Sequence, residues 1–105
     1  QTFLFVFNSE IQRFFKLFFF ISAKTLQVPG AICPRPANFF ELLVLGYKYP
    51  QLQTRFPIVA LGSVWTGSIA NGVPVLQFDG KKRILNISWF GRDWEGDFHF
   101  LCIPV

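Results

Sequence analysis

With 105 residues, 51% of them hydrophobic and fifteen of them phenylalanine, the chain can fill one modest core, which argues against intrinsic disorder and bounds it to one small domain or a fragment of one. The net charge of +4 rests on only 15% charged residues, so the basic balance reflects few acids and argues only weakly for an anionic partner. Two cysteines, Cys33 and Cys102, exclude a disulfide framework or a zinc site of cysteines alone. They suit either one bridge between a loop and the last strand or two small buried apolar side chains. The chain opens on Gln1 and contains no methionine, so its natural start is expected to be missing or processed. No signal peptide or membrane-spanning segment is legible in it as it stands.

Residues 2–7, TFLFVF, alternate weakly and are aromatic-rich, which predicts a buried strand. Ser9 and Gln12 form a possible capping box, and Ile11, Phe14, Phe15 and Phe18 follow at helical spacing on one face. The spacing predicts a helix over about 10–21. Arg13 and Lys16 stand just ahead of the LFFFIS run and cut the apolar stretch, so it is too short for a span, and a core helix is preferred to an interfacial one. Pro29-Gly30, Pro34 and Pro36 mark 22–37 as a connector. Asn38 with Glu41 is a second capping box, opening a helix that Gly46 is expected to end. PQLQTRF adds one helical turn, closed by Pro57. IVALGSVW (58–65) is a strand with a bend at Gly62-Ser63, and TGSIANG (66–72) is a loop.

VPVLQF and KRILNISW flank Asp79-Gly80, a strong hairpin signal. A two-residue turn there pairs Phe78 with Lys81, Val75 with Ile84 and Val73 with Asn86. One face then carries Pro74, Leu76, Phe78, Leu85, Ile87 and Trp89 and is expected to meet the core. The other carries Val73, Val75, Gln77, Lys82, Ile84, Asn86 and Ser88 and is expected to face solvent. FGRDWEGD (90–97) reads as a polar, aromatic loop and FHFLCIPV as a closing strand that mirrors the opening one. The order predicts one α+β domain over 1–105, with two helices packed on a small antiparallel sheet.

The segments RPANFFELLVLGYKYPQLQTRFPIVALGSVW and VPVLQFDGKKRILNISWFGRDWEGDFHFL, about residues 35–101, resemble the variable proteins of diversity-generating retroelements in uncultured bacteria and archaea. VALGSVW and WF-x-x-DW are the specific parts. The chain departs from the pattern at Cys102-Ile103-Pro104-Val105, where a short apolar–basic ending is expected. The resemblance implies a compact C-type-lectin-like fold with its N- and C-terminal strands paired. It also implies a ligand-binding protein rewritten over about 66–100 by an error-prone reverse transcriptase. The positions expected to vary, and so to form the ligand-binding face, are Val75, Gln77, Ile84, Asn86, Ser88, Gly91, Arg92, Asp93, Glu95, Gly96, Asp97 and His99. Five of these are outward in the hairpin above. That agreement is physical, because close-packed interiors penalise even small changes of volume.

Other chemistries are weaker. Arg92, Asp93, Trp94, Glu95 and Asp97 form the densest polar cluster, but it has no nucleophile–base spacing, and His99 is the single imidazole. No catalytic residue and no enzyme activity are expected. Asp93, Glu95 and Asp97 could offer oxygens to calcium, yet loop acids are more often simply solvated, so no metal and no cofactor are expected. Trp65 and Trp89 read as framework, and Trp94 as the tryptophan most open to solvent. Lys81-Lys82-Arg83 permits an alternative reading as a small basic nucleic-acid-binding domain, although three bases beside a turn more often form a solvated tip. The expected partner is a macromolecule, either a protein or a surface glycan.

Overall fold

The computed structural model describes residues 3–6, 18–26 and 33–104. The Asn38–Glu41 capping box forms as predicted. Asn38 Oδ1 accepts from the Glu41 N–H and Glu41 Oε1 accepts from the Asn38 N–H, both at 2.9 Å. Arg35 reinforces it with a two-pronged ion pair to the Glu41 carboxylate, and this contact holds the guanidinium above its ordinary pKa. The helix it starts runs over Phe39–Lys48 and buries Leu42, Leu45 and Gly46. Gly46 does not end it. A Cβ there would lie 3.0 Å from Leu76 Cδ1, so this glycine lets the helix approach the sheet closely.

In chain order the elements are β1 (Phe3–Val6), β2 (Phe18–Ser22), a single turn α1 (Ala23–Leu26), β3 (Arg35–Pro36), α2 (Phe39–Lys48), a 3-10 turn (Leu52–Thr54), β4 (Ile58–Val59), β5 (Gly72–Phe78), β6 (Arg83–Trp89) and β7 (His99–Ile103). The sheet order is β1-β2-β7-β4-β5-β6, with β3 also on β7. β7 is the hub. One edge pairs with β2, and the other is shared end to end by β4 at His99–Phe100 and β3 at Cys102–Ile103.

The fold class is α+β, with three corrections to the expectations. Residues 18–22, at the end of the predicted first helix, are a strand; residues 10–17 lie outside those described. So one helix longer than a single turn, not two, packs on the sheet among the described residues. The opening strand β1 pairs with β2, and it is β2 that pairs with the closing β7. The sheet is mixed, because β4 and β7 run parallel. The reason is burial on both sides. Phe18 and Phe20 point into a core under α2 with Leu42, Leu45, Ile58, Leu76, Leu101 and Ile103. Phe19 and Ile21 point into a second core with Val59, Val73, Val75, Phe98, Phe100 and Cys102. A strand buried on both faces is apolar throughout, and its run of phenylalanines fits helical spacing equally well. Each fully buried Leu, Ile or Phe contributes about 1.5–3 kcal/mol.

Cys33 and Cys102 are joined in a disulfide, Cα–Cα 5.4 Å, tying the chain ahead of β3 to the hub strand. The hairpin strands form as predicted, but the pairing is Val73↔Ser88, Val75↔Asn86, Gln77↔Ile84 and Phe78↔Arg83. Asp79 is the cause. Its carboxylate accepts from the Lys81 and Lys82 N–H groups at 2.8 and 2.9 Å, which widens the turn to residues 79–82. Those bonds hold the Asp79 carboxyl below its ordinary pKa, and only Gly80 takes a positive φ. The pairing shifts by two residues, so each side chain keeps its predicted face.

Candidate functional site

The predicted variable face begins on β6. Ile84 and Ser88 are half-buried and Asn86 is exposed. Gln77 of β5 is half-buried beside them, and its Oε1 accepts from Asn86 Nδ2 at 3.1 Å. The loop after β6 folds over the same side. Trp94 meets Phe98 and Phe100 edge-on at 5.1 and 5.6 Å, plugging the second core. The Phe98 N–H donates to the Glu95 carbonyl, and the Ala23 N–H donates to the Phe98 carbonyl, which pins the loop end.

Arg92 lies on this platform. Its guanidinium carbon is 4.8 Å from the Phe98 ring centre and 5.2 Å from that of Trp94. Arg92 Nη1 donates to Ser88 Oγ at 3.0 Å, and Nη2 reaches Glu95 Oε1 at 3.4 Å. Gln77, Asn86, Ser88, Arg92 and Glu95 thus form a polar strip of two hydrogen-bonded groups, Gln77 with Asn86 and Arg92 with Ser88 and Glu95, with Gly91, Asp93 and Gly96 exposed on the same loop.

Two predicted site residues lie apart from it. Val75 has no exposed surface and packs in the second core, because β5 lies inside the sheet between β4 and β6; it cannot touch a ligand. His99 points to the opposite face, the one covered by α2. It stacks on Phe56 at 3.9 Å, and Nδ1 lies 2.8 Å from the Asp97 carbonyl oxygen. Burial holds its pKa below the ordinary value, against the opposing pull of the Asp97 carbonyl and carboxylate. Asp97 is exposed and borders Gln77 and Phe78 at the hairpin end.

The other hairpin face departs from expectation. Leu85, Ile87 and Trp89, predicted to be core, are 45, 52 and 58% exposed. α2 covers β5 at Leu76 and touches β6 at Arg83, while Leu85, Ile87 and Trp89 stay uncovered. Trp65 and Trp89 are both more open than the half-buried Trp94. With Ala70, Gly72 and Ile87 they line a shallow cavity of about 320 Å3. Sequence reasoning missed this surface, because alternation tells which side chains share a face and not which face is roofed. It also missed Gln53. This buried amide donates to the Gln77 and Ile84 carbonyls and accepts from Arg83 Nη1, locking the 3-10 turn to the hairpin.

Arg83 Nη1 also donates to the Gly46 carbonyl at 3.0 Å, so of the three exposed bases at the hairpin tip Arg83 is tied to α2. Among the described residues no group of three or more His, Cys, Asp or Glu side chains could hold a metal ion. No described helix is long and apolar enough to cross a membrane. The chain matches no protein-family model, no curated protein and no solved structure.

Proposed function

We propose that this chain is a non-enzymatic binding module of C-type-lectin-like type. Its polar β6 face and following loop are diversified by a retroelement reverse transcriptase and meet a macromolecular ligand, either a protein or a surface glycan. The observation that carries the reading is a contrast in burial. Of the positions expected to vary, Asn86, Gly91, Asp93, Glu95, Gly96 and Asp97 are exposed and Gln77, Ile84, Ser88 and Arg92 are half-buried, whereas Val75 is buried and His99 lies on the other face. Part of the resembling framework has reasons to stay fixed, while Val64, Trp65, Trp89 and Phe90 are exposed. Val59 and Ala60 are fully buried, Gly62 abuts backbone, and Ser63 Oγ accepts from the Phe39 N–H at 2.7 Å at the start of α2. Arg92, already held between two rings, is the expected anchor.

The test is a pair of displayed libraries. One randomises Asn86, Ser88, Arg92, Asp93 and Glu95; the other randomises Val59, Val73 and Phe100. The first is expected to keep most clones folded and to yield binders, and the second to lose folding. Equal loss of folding in the two libraries would sink the proposal. A steep fall in affinity with added salt would instead favour the nucleic-acid reading. In the source genome, a near-copy of the segment encoding 66–100, differing at adenines, is expected beside a reverse transcriptase gene.

A further inference from the structure

Among the described residues β6 ends the sheet, and no described strand pairs with its outer rim. At the hairpin tip the Asp79 N–H donates to the Lys82 carbonyl, so antiparallel alternation makes 77/84, 75/86 and 73/88 the bonded pairs. Two further bonds agree. The Pro74 carbonyl accepts from the Ala60 N–H on the β4 side, and the Ile87 N–H donates to Asn86 Oδ1 at 2.9 Å rather than into the ladder. The main-chain groups of Leu85 and Ile87 therefore point off the sheet. Single-chain sheets commonly blunt such a rim with lysine, proline or a bulge. RILNISW contains neither lysine nor proline, its pairing runs unbroken, and Asn86 is its one local cap. Beside the rim stand the exposed Leu85, Ile87 and Trp89.

We propose that β6 pairs antiparallel with β6 of a second copy about a two-fold axis through Asn86. The strand is its own complement in that register. Asn86 is the midpoint of Arg83–Trp89, so this axis alone overlaps the whole strand. Leu85 then lies opposite the partner's Ile87, and each main chain supplies the other's missing bonds. Arg83 lies opposite the partner's Trp89, and no like charges meet. On the other face Ile84 lies opposite the partner's Ser88, and Asn86 opposite the partner's Asn86. The interface is isologous and closed, which limits assembly to a dimer. It is independent of the proposed function, since main-chain pairing tolerates exchange of Asn86. It would set two polar strips side by side on one continuous sheet.

The decisive variant is Asn86→Cys. Both native cysteines are already bridged, so it adds the sole thiol. On the axis, two such residues form a non-bonded pair with Cα atoms about 4.5 Å apart, within disulfide range. The whole chain is expected to sediment at twice its monomer mass at about 100 μM, a concentration that detects even weak pairing. Asn86→Cys should oxidise to a covalent dimer, whereas Ser88→Cys, facing the partner's Ile84, should not. Leu85→Pro removes an outward N–H and spares the β5 ladder; it should weaken the dimer at least tenfold. A monomer at that concentration, or crosslinking through Cys at 88 and not at 86, overturns the proposal. So does capture of another protein's extended segment on this rim by a monomeric chain.

Discussion

Gly62 has no room for a side chain. An added Cβ would come within 2.6 Å of the Pro36 and Ala37 carbonyl oxygens, and backbone cannot swing aside. Gly62→Ala should therefore lower stability by about 2 kcal/mol, read from the urea midpoint, as overpacking does elsewhere. His99 makes a different prediction. Its folded pKa lies below the ordinary value of 6.5, so between the two values the unfolded chain binds more protons. The His99 contribution is fully present above pH 6.5 and is lost as pH falls through the depressed value. Urea midpoints measured downward from pH 7.5 should decline, and His99→Phe should flatten that slope. An unchanged slope in the variant would assign the decline to carboxylates such as Asp79. Both residues show a sequence limit. Gly62 reads as a bend and His99 as a face, but neither reading says what stands opposite.

At the scale of elements, α2 and the hairpin depend on polar ties. Glu41 serves both the capping box and Arg35. Because Arg35 is partly exposed, Glu41→Ala should cost about 1–2 kcal/mol in thermal or urea unfolding. The capping box was legible in sequence because it is local: two residue types at one spacing satisfy two N–H groups. The hairpin was legible in its faces for the same reason. Its pairing was not, because the Asp79 side chain replaced the expected tight turn with its own bonds to Lys81 and Lys82. The strand at 18–22 was hidden because sustained burial erases alternation. The exposed ledge of Leu85, Ile87 and Trp89 was hidden because cover comes from elements far along the chain. One face is closed by Trp94 and Phe98, and on the other α2 leaves Leu85, Ile87 and Trp89 uncovered.

Across the whole molecule, the Cys33–Cys102 bond spans 69 residues of sequence. Loop-closure entropy over such a span gives about 4 kcal/mol, so the Cys33→Ser, Cys102→Ser double variant should lower unfolding stability by roughly that much. Adding reductant to the unaltered chain should approach the same loss. Of the candidate site, the polar strip of Gln77, Asn86, Ser88 and Arg92 could be expected from sequence, whereas exclusion of Val75 and His99 could not. Those two depend on sheet order, a property of all seven strands. That same order governs assembly in time. Three earlier segments of the chain, β2, β3 and β4, share a single mate that is synthesised after all of them. A nascent chain stalled before residue 99 therefore holds an unclosed gap at its centre, and its folding belongs to the moment after synthesis passes that point.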